Sequence, residues 1–281
     1  MTEDVESDCC CRGFWFWAAM IFAFLTVLWN IRGPGYYVKG IYYTLALTLG
    51  GLIGGLLAVP RGRSTDNHYL IFRIFRYFCL PLRLNIEYKH ADILARDEPC
   101  IIIANHQSAI DVWAMTHVWP ENCVVMLKSS LKWLPGFNLC AYVCESIFIN
   151  RFSKEKSHKT VDQTLENILK KKRKVFMYPE GTRNAKPELL PFKKGAFILA
   201  KQAKISLIPI AFSSHKFFYE HEKTRFDSNG HILAEVMEPV PHDKFDSIDD
   251  LAAYCRTLIQ AKREELDREL METWYKDQKL E

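Results

Sequence analysis

The chain has 281 residues, with 37 Lys and Arg against 33 Asp and Glu, a net charge of +4. That length bounds it to one large domain or two modest ones, and so mild a charge does not point to a nucleic-acid partner. The nine cysteines are scattered apart from Cys9-Cys10-Cys11 and show no CxxC pair. This is the pattern of cytosolic thiols rather than of a disulfide framework. The triplet abuts an apolar run, so acylation of its thiols and plain burial both fit.

Residues 1–10 are polar and acidic, and from Phe14 to Trp29 the chain carries no charge, a stretch extendable to Ile31. Crossing a bilayer takes about 20 residues, so this segment is marginal; its tryptophans at both ends suit membrane interfaces. Asn30-Ile31-Arg32-Gly33-Pro34-Gly35 is a turn, and Ile41 to Val59 gives 19 further uncharged residues. Gly50, Gly51, Gly54 and Gly55 form two small-xxx-small pairs, which predict close approach of the first helix. A signal peptide is the competing reading of the first segment, but it lacks a basic n-region and a small-residue cleavage site. A membrane helical hairpin is therefore expected. Arg61, Arg63, Arg73, Arg76 and Arg83 follow it and put the main domain on the cytosolic side. Arg32 and Lys39 in the loop weaken that rule, and a hairpin that enters one leaflet and returns gives the same sidedness. Tyr69–Leu82 places arginines three apart among aromatics. It fits a helix in the headgroup layer and equally the first helix of the folded domain.

Beyond it, short apolar runs alternate with helical patterns. Strands are expected at 86–88, 100–104, 123–127, 147–149, 175–178, 206–212 and 232–237, the last as an edge strand. Helices are expected at 111–117, 139–143, 159–172, from about 195 to 204, and from 247 to about 275. The run Lys170–Lys174 reads as a mostly solvated face. Lys193 and Lys194 stand at a helix start, where positive charge is unfavourable unless an anion is close. This succession is an α/β domain with a sheet flanked by helices on both faces.

Three strand ends carry polar clusters. Asn105-His106-Gln107-Ser108-Ala109-Ile110-Asp111 follows the apolar run 100–104, and strand ends are the usual place for chemistry in such a domain. His106 is the one side chain there that can take and return a proton near neutral pH. Asp111 can fold back onto one imidazole nitrogen and leave the other free as a base. The alternative is that Asp111 caps a helix and His106 merely ends a strand. The second cluster, Lys128-Ser129-Ser130-Leu131-Lys132, is cationic. The third, Pro179-Glu180-Gly181-Thr182-Arg183-Asn184, combines a tight glycine turn with the guanidinium fork suited to phosphate. No Gly-x-Ser-x-Gly elbow occurs, which argues against a serine hydrolase. His106 would then activate a substrate hydroxyl directly, and the apolar anchor suggests a lipidic substrate. A zinc site on His106 and Asp111 lacks a third ligand at suggestive spacing, so no metal is expected.

Asn105–Asp111 resembles the NHxxxxD motif of the glycerolipid acyltransferases. Tyr178-Pro179-Glu180-Gly181-Thr182-Arg183 resembles their phosphate-binding FPEGTR motif. Ile147-Phe148-Ile149-Asn150-Arg151, Leu190–Ala196 and Ile205–Ile210 resemble further blocks, in family order, over roughly 98 to 215. The resemblance implies a glycerolipid-acyltransferase-like α/β domain with a mixed, mostly parallel sheet, preceded by the membrane hairpin. It implies acyl-CoA as co-substrate, no cofactor, lysophosphatidic acid as acceptor and phosphatidic acid as product, made at the endoplasmic reticulum membrane. In that scheme His106 takes the proton of the sn-2 hydroxyl and Asp111 sets its tautomer. Arg183 binds the acceptor phosphate in a pocket shaped by Glu180, Gly181 and Thr182, with Lys128, Arg151 and Lys193 as further anion contacts. The implied division is a membrane hairpin at 1–64 (apolar segments 14–31 and 41–59), an interfacial helix and linker at 65–97, a catalytic domain at 98–246 and a charged helix at 247–281. No protein partner is implied. Two positions depart from the family pattern: Ser130 where a glutamate is usual, and Glu145 where a glycine is usual. A side chain at Glu145 is expected to narrow or recharge the acceptor pocket. Two other functions remain open: acylation of another lysophospholipid or of glycerol 3-phosphate, and a membrane protein that binds these lipids without turnover. Retention of both His106 and Asp111 speaks against the second.

Overall fold

The computed structural model describes residues 3–133, 136–149, 165–166 and 168–276. Arg151 and most of the helix expected at 159–172 lie outside them. Seven strands, β1 (Asn85–Lys89), β2 (Ile101–Ala104), β3 (Cys123–Lys128), β4 (Ile147–Ile149), β5 (Lys174–Met177), β6 (Leu207–Phe212) and β9 (His231–Val236), form one sheet. Its order is β1-β9-β6-β2-β5-β3-β4. Every neighbouring pair is parallel except β6 with β9. The sheet is thus mixed and mostly parallel, as expected. The expected edge strand is not at the edge: β9 lies inside, because β1 pairs with its far side. A short hairpin, β7 (Tyr219–Glu220) with β8 (Arg225–Phe226), stands apart from the sheet.

The run at β2 is apolar because both of its faces are covered. Ile102 and Ala104 enter a core shared with α2 (Pro34–Ala58), α3 (Asn67–Cys79) and α4 (Asp111–Met115). Ile101 and Ile103 enter the opposite core, with α6 (Gly195–Ala203) and α7 (Ile248–Thr273). The charged C-terminal helix α7 is no appendage. Leu251, Cys255, Ile259, Leu266 and Leu270 share one face and are fully buried. Ser247 accepts from the Asp249 and Asp250 amides at its start, and Asp249 in the first turn suits the helix dipole. The same Asp249 supplies the anion that Lys194 needs, at 2.7 Å. In the basic run, Lys170, Lys171 and Lys172 are exposed, in keeping with a mostly solvated face, while Arg173 and Lys174 are buried.

Among the described residues, one helix, Pro34–Arg61, is long and apolar enough to cross a membrane by length and composition; Phe14–Asn30 is apolar but shorter. α1 (Glu3–Asn30) leads into α2 through Gly33, whose φ of +85° suits glycine, and Pro34 opens α2. α2 is laid along the folded domain. Near its start Lys39 donates to the Phe226 carbonyl and the Tyr36 hydroxyl meets His221. Midway, Tyr43 donates to the Ala109 carbonyl. Toward its end the glycines take their partners, and these are not α1. A Cβ on Gly50 or Gly54 would stand about 3 Å from the Phe75 or Ile71 Cα of α3; Gly51 and Gly55 face Cys140 and Leu139 of α5 (Phe137–Val143). Small residues announce a close approach but not the partner. α3 buries Ile71, Phe72, Phe75 and Cys79, while Tyr77 and Leu80 face outward.

The Gly54 contact is testable. Gly54→Val should destabilise the detergent-solubilised protein by about 1–3 kcal/mol through overpacking against Ile71. Gly40→Ala on the same helix, where a Cβ meets nothing within 4 Å, should be neutral or stabilising. Equal thermal midpoints for the two variants would contradict this packing.

Candidate active site

The parallel strands β2, β3, β5 and β6 end on the same side of the sheet, and each leads into a polar segment. The central contact is between the imidazole Nδ1 of His106 and Oδ2 of Asp111, at 2.7 Å. The same oxygen accepts the backbone N–H of Gln107 at 2.7 Å and of Ser108 at 2.8 Å. Asp111 therefore folds back onto the loop before α4 and makes no side-chain cap to its own helix. It has no solvent exposure, whereas the His106 side chain is 19% exposed. Burial opposes the charge on Asp111. The bond from His106, the nearby His215 and the Ser108 amide outweigh it and hold the carboxyl below its ordinary range. With Nδ1 committed as a donor to the carboxylate, the lone pair of His106 is on Nε2.

The His106 backbone is gripped from β5's loop. Its N–H donates to Glu180 Oε1 at 2.8 Å, and its carbonyl accepts from Asn184 N at 2.8 Å. The other Glu180 oxygen accepts from Leu190 N at 3.0 Å. Tyr178 stacks on the imidazole, with ring centroids 4.2 Å apart. Asn105 extends the ladder beyond β2, donating to the Phe212 carbonyl and accepting from its amide. Gln107 reaches the segment after β6, donating to Ser213 O and accepting from His215 N.

Gly181 has φ of +71°, and a Cβ there would lie 2.6 Å from Lys193 Nζ, so the lysine crosses directly over the glycine. Lys193 N also donates to Pro179 O. Thr182, Arg183 and Lys193 are exposed beside the buried Glu180. Arg183 is close enough to His106's neighbour Tyr178, and to Tyr219, to act electrostatically on both phenols. α7 holds this loop: Arg256 donates to Leu189 O, Gln260 Oε1 accepts from Leu189 N, and Arg263 donates to Lys186 O. Lys128 ends β3 on the same side of the sheet and is exposed.

Glu145 is not in this site. It precedes β4, toward the opposite end of the parallel strands, with φ of +56°. There its carboxylate is bound by Lys171 and by buried Arg173. The expected effect on an acceptor pocket is thus overturned: its partners are structural cations at the sheet's other end. Ser130 is exposed in the turn after β3. Sequence reasoning passed over His215 and Arg263 and gave Asn184 no role of its own. A fourth polar strand end, Ser213-Ser214-His215 after β6, was the available signal. Among the described residues no group of three or more His, Cys, Asp and Glu side chains is arranged to hold a metal ion.

Comparison with known proteins gives the family. An acyltransferase family model matches residues 85–213. A Caenorhabditis elegans protein named "Putative 1-acyl-sn-glycerol-3-phosphate acyltransferase acl-1" is 56% identical over 249 residues, 89% of this chain and 95% of its own. The chain belongs to the 1-acyl-sn-glycerol-3-phosphate acyltransferase family. Human 1-acyl-sn-glycerol-3-phosphate acyltransferase beta is 34% identical over 230 residues, 80% of this chain and 81% of its own. The crystal structure of the 1-acyl-sn-glycerophosphate acyltransferase PlsC from Thermotoga maritima shares the fold, with a TM-score of 0.68 at 19% identity. It covers 84% of this chain and 98% of the bacterial one.

The two-sided use of Glu180 is a test of the grip on His106. Glu180→Gln presents one amide nitrogen to an N–H that needs an acceptor, so one buried donor loses its partner. It should cost about 1–3 kcal/mol of stability and lower kcat. Thermal unfolding and acyl-transfer rates at wild-type values would refute that role.

Proposed function

We propose that the chain transfers a fatty acyl group from acyl-CoA to the sn-2 hydroxyl of 1-acyl-sn-glycerol 3-phosphate, giving phosphatidic acid and CoA. The supporting observation is the 2.7 Å bond that fixes His106 Nδ1 on buried Asp111 and leaves Nε2 as the uncommitted nitrogen of a side chain that is 19% exposed. His106 Nε2 takes the hydroxyl proton as the oxygen attacks the thioester carbonyl carbon. The C–S bond then breaks, and the CoA sulfur leaves with the proton returned by the imidazolium. No acyl-enzyme is required. Arg183 is the counter-charge for the acceptor phosphate, with Lys193 over Gly181 and Thr182 beside it, and Lys128 a more distant cation.

The domain from 98 to 246, closed by α7, carries the chemistry, and α1 and α2 seat it on the membrane. Support for a seat in one leaflet, rather than a pair of spans, comes from α2. Its start, middle and end all touch the folded domain, through Lys39, Tyr43 and Gly54. A helix docked along its length cannot carry its loop to the far side of the bilayer. Phe14, Trp15, Phe16 and Trp17 on α1, and Ile41, Leu45 and Leu56 on α2, remain exposed for lipid. Free thiols at Cys79, Cys100, Cys123, Cys140, Cys144 and Cys255 support a reducing compartment. With the basic residues after α2, they support a domain facing the cytosol; the endoplasmic reticulum membrane is what the family resemblance implies.

Membranes carrying the wild-type chain or His106→Ala, given labelled oleoyl-CoA with one acceptor at a time, test the activity. Phosphatidic acid should form from lysophosphatidic acid and vanish in the variant. Product only from lysophosphatidylcholine, lysophosphatidylethanolamine or glycerol 3-phosphate would overturn the acceptor. Arg183→Ala should raise KM for lysophosphatidic acid at least tenfold while changing that for oleoyl-CoA little; equal rises would remove Arg183 from the phosphate site.

A further inference from the structure

The carboxylate of Asp111 has a second side that the dyad does not use. Its Oδ1 is buried and makes no hydrogen bond among the described residues. The ring of His215, 2% exposed, faces it, with Nδ1 3.6 Å from Oδ1. The same Nδ1 lies 2.9 Å from Ser108 Oγ. That hydroxyl oxygen already accepts from the Ile110 amide at 3.0 Å. The backbone N–H of His215 is itself held by Gln107 Oε1. His215 is thus tied to the catalytic loop once through its ring and once through its backbone. Arg263 of α7, also buried, is close enough to act electrostatically on the ring, and Phe218 packs against it.

We infer that His215 is a positioning residue for acyl transfer: bonded through Nδ1 to Ser108 Oγ and facing the open side of Asp111 from 3.6 Å, it fixes the loop whose Ser108 amide, with the His106 ring, holds Oδ2. This rests on His106 being the base. Burial, only partly offset by Asp111 and reinforced by Arg263 and His106, pushes the His215 pKa down to about 4. The ring is therefore neutral at the pH of catalysis. It faces Asp111 without placing a second full positive charge beside His106.

His215→Leu cuts the buried bond to Ser108 Oγ and loosens the loop that orients His106, so kcat should fall about tenfold while both KM values stay within about twofold. His215→Asn places an amide where Nδ1 stood and should recover most of kcat. His215→Gln, whose amide reaches the Nε2 position instead, should not. That pair decides the matter even if the leucine variant fails to fold. Wild-type kcat in His215→Leu or His215→Gln, or equal losses in the asparagine and glutamine variants, would overturn the role of His215. His106→Ala is assayed alongside. Residual full turnover there would overturn the base itself, whereas an inactive His106→Ala beside an unaffected His215→Gln would overturn only the positioning role.

Discussion

Asp111 carries a charge in a place that water does not reach, and the architecture around it exists to make that charge tolerable. One oxygen is met by the His106 ring and by the Gln107 and Ser108 amides. Those amides converge because β2 ends at Ala104 and the chain turns before α4 begins at Asp111. A carboxylate so surrounded stays ionised and holds the imidazole in one tautomer. If it lost its donors, desolvation would drive it neutral, and His106 would keep neither its orientation nor its basicity.

The surrounding layers keep the loop in register. Glu180 and Asn184 take the backbone N–H and carbonyl of His106 from the β5 side, and Gln107 ties the loop to the β6 side. α7 then fixes both flanking segments, with Arg256, Gln260 and Arg263 on the 186–190 loop and Asp267 on Ser214. These four α7 positions recur at helical spacing on one face, so a helix that looks merely charged in sequence is a clamp. On the opposite layer Tyr43 brings α2 to the Ala109 carbonyl. The helix that meets the lipid and the loop that carries the base are therefore in direct contact.

Much of this was legible in the chain itself. Each strand whose end bears chemistry is a short apolar run stopped by polar residues, and buried β2 requires that pattern. The spacing from His106 to Asp111 foretold their contact because one turn suffices to close it. What failed were contacts made across long distances in sequence. Glu145 has its partners Lys171 and Arg173 beyond a long intervening segment, and nothing local shows that it points to the other end of the sheet. His215 meets Asp111 only once β6 has paired with β2. The glycines of α2 announced a close neighbour, but α3 and α5 share the helical character that made α1 the expected one.

The most direct measurement of the central claim is a double-mutant cycle on the dyad, comparing kcat/KM for wild type, His106→Ala, Asp111→Asn and the double variant. If Asp111 acts only through His106, Asp111→Asn loses about 10³–10⁴-fold, and adding it to His106→Ala costs nothing further. Losses that multiply in the double variant would mean that the two side chains act independently, and would contradict the pairing.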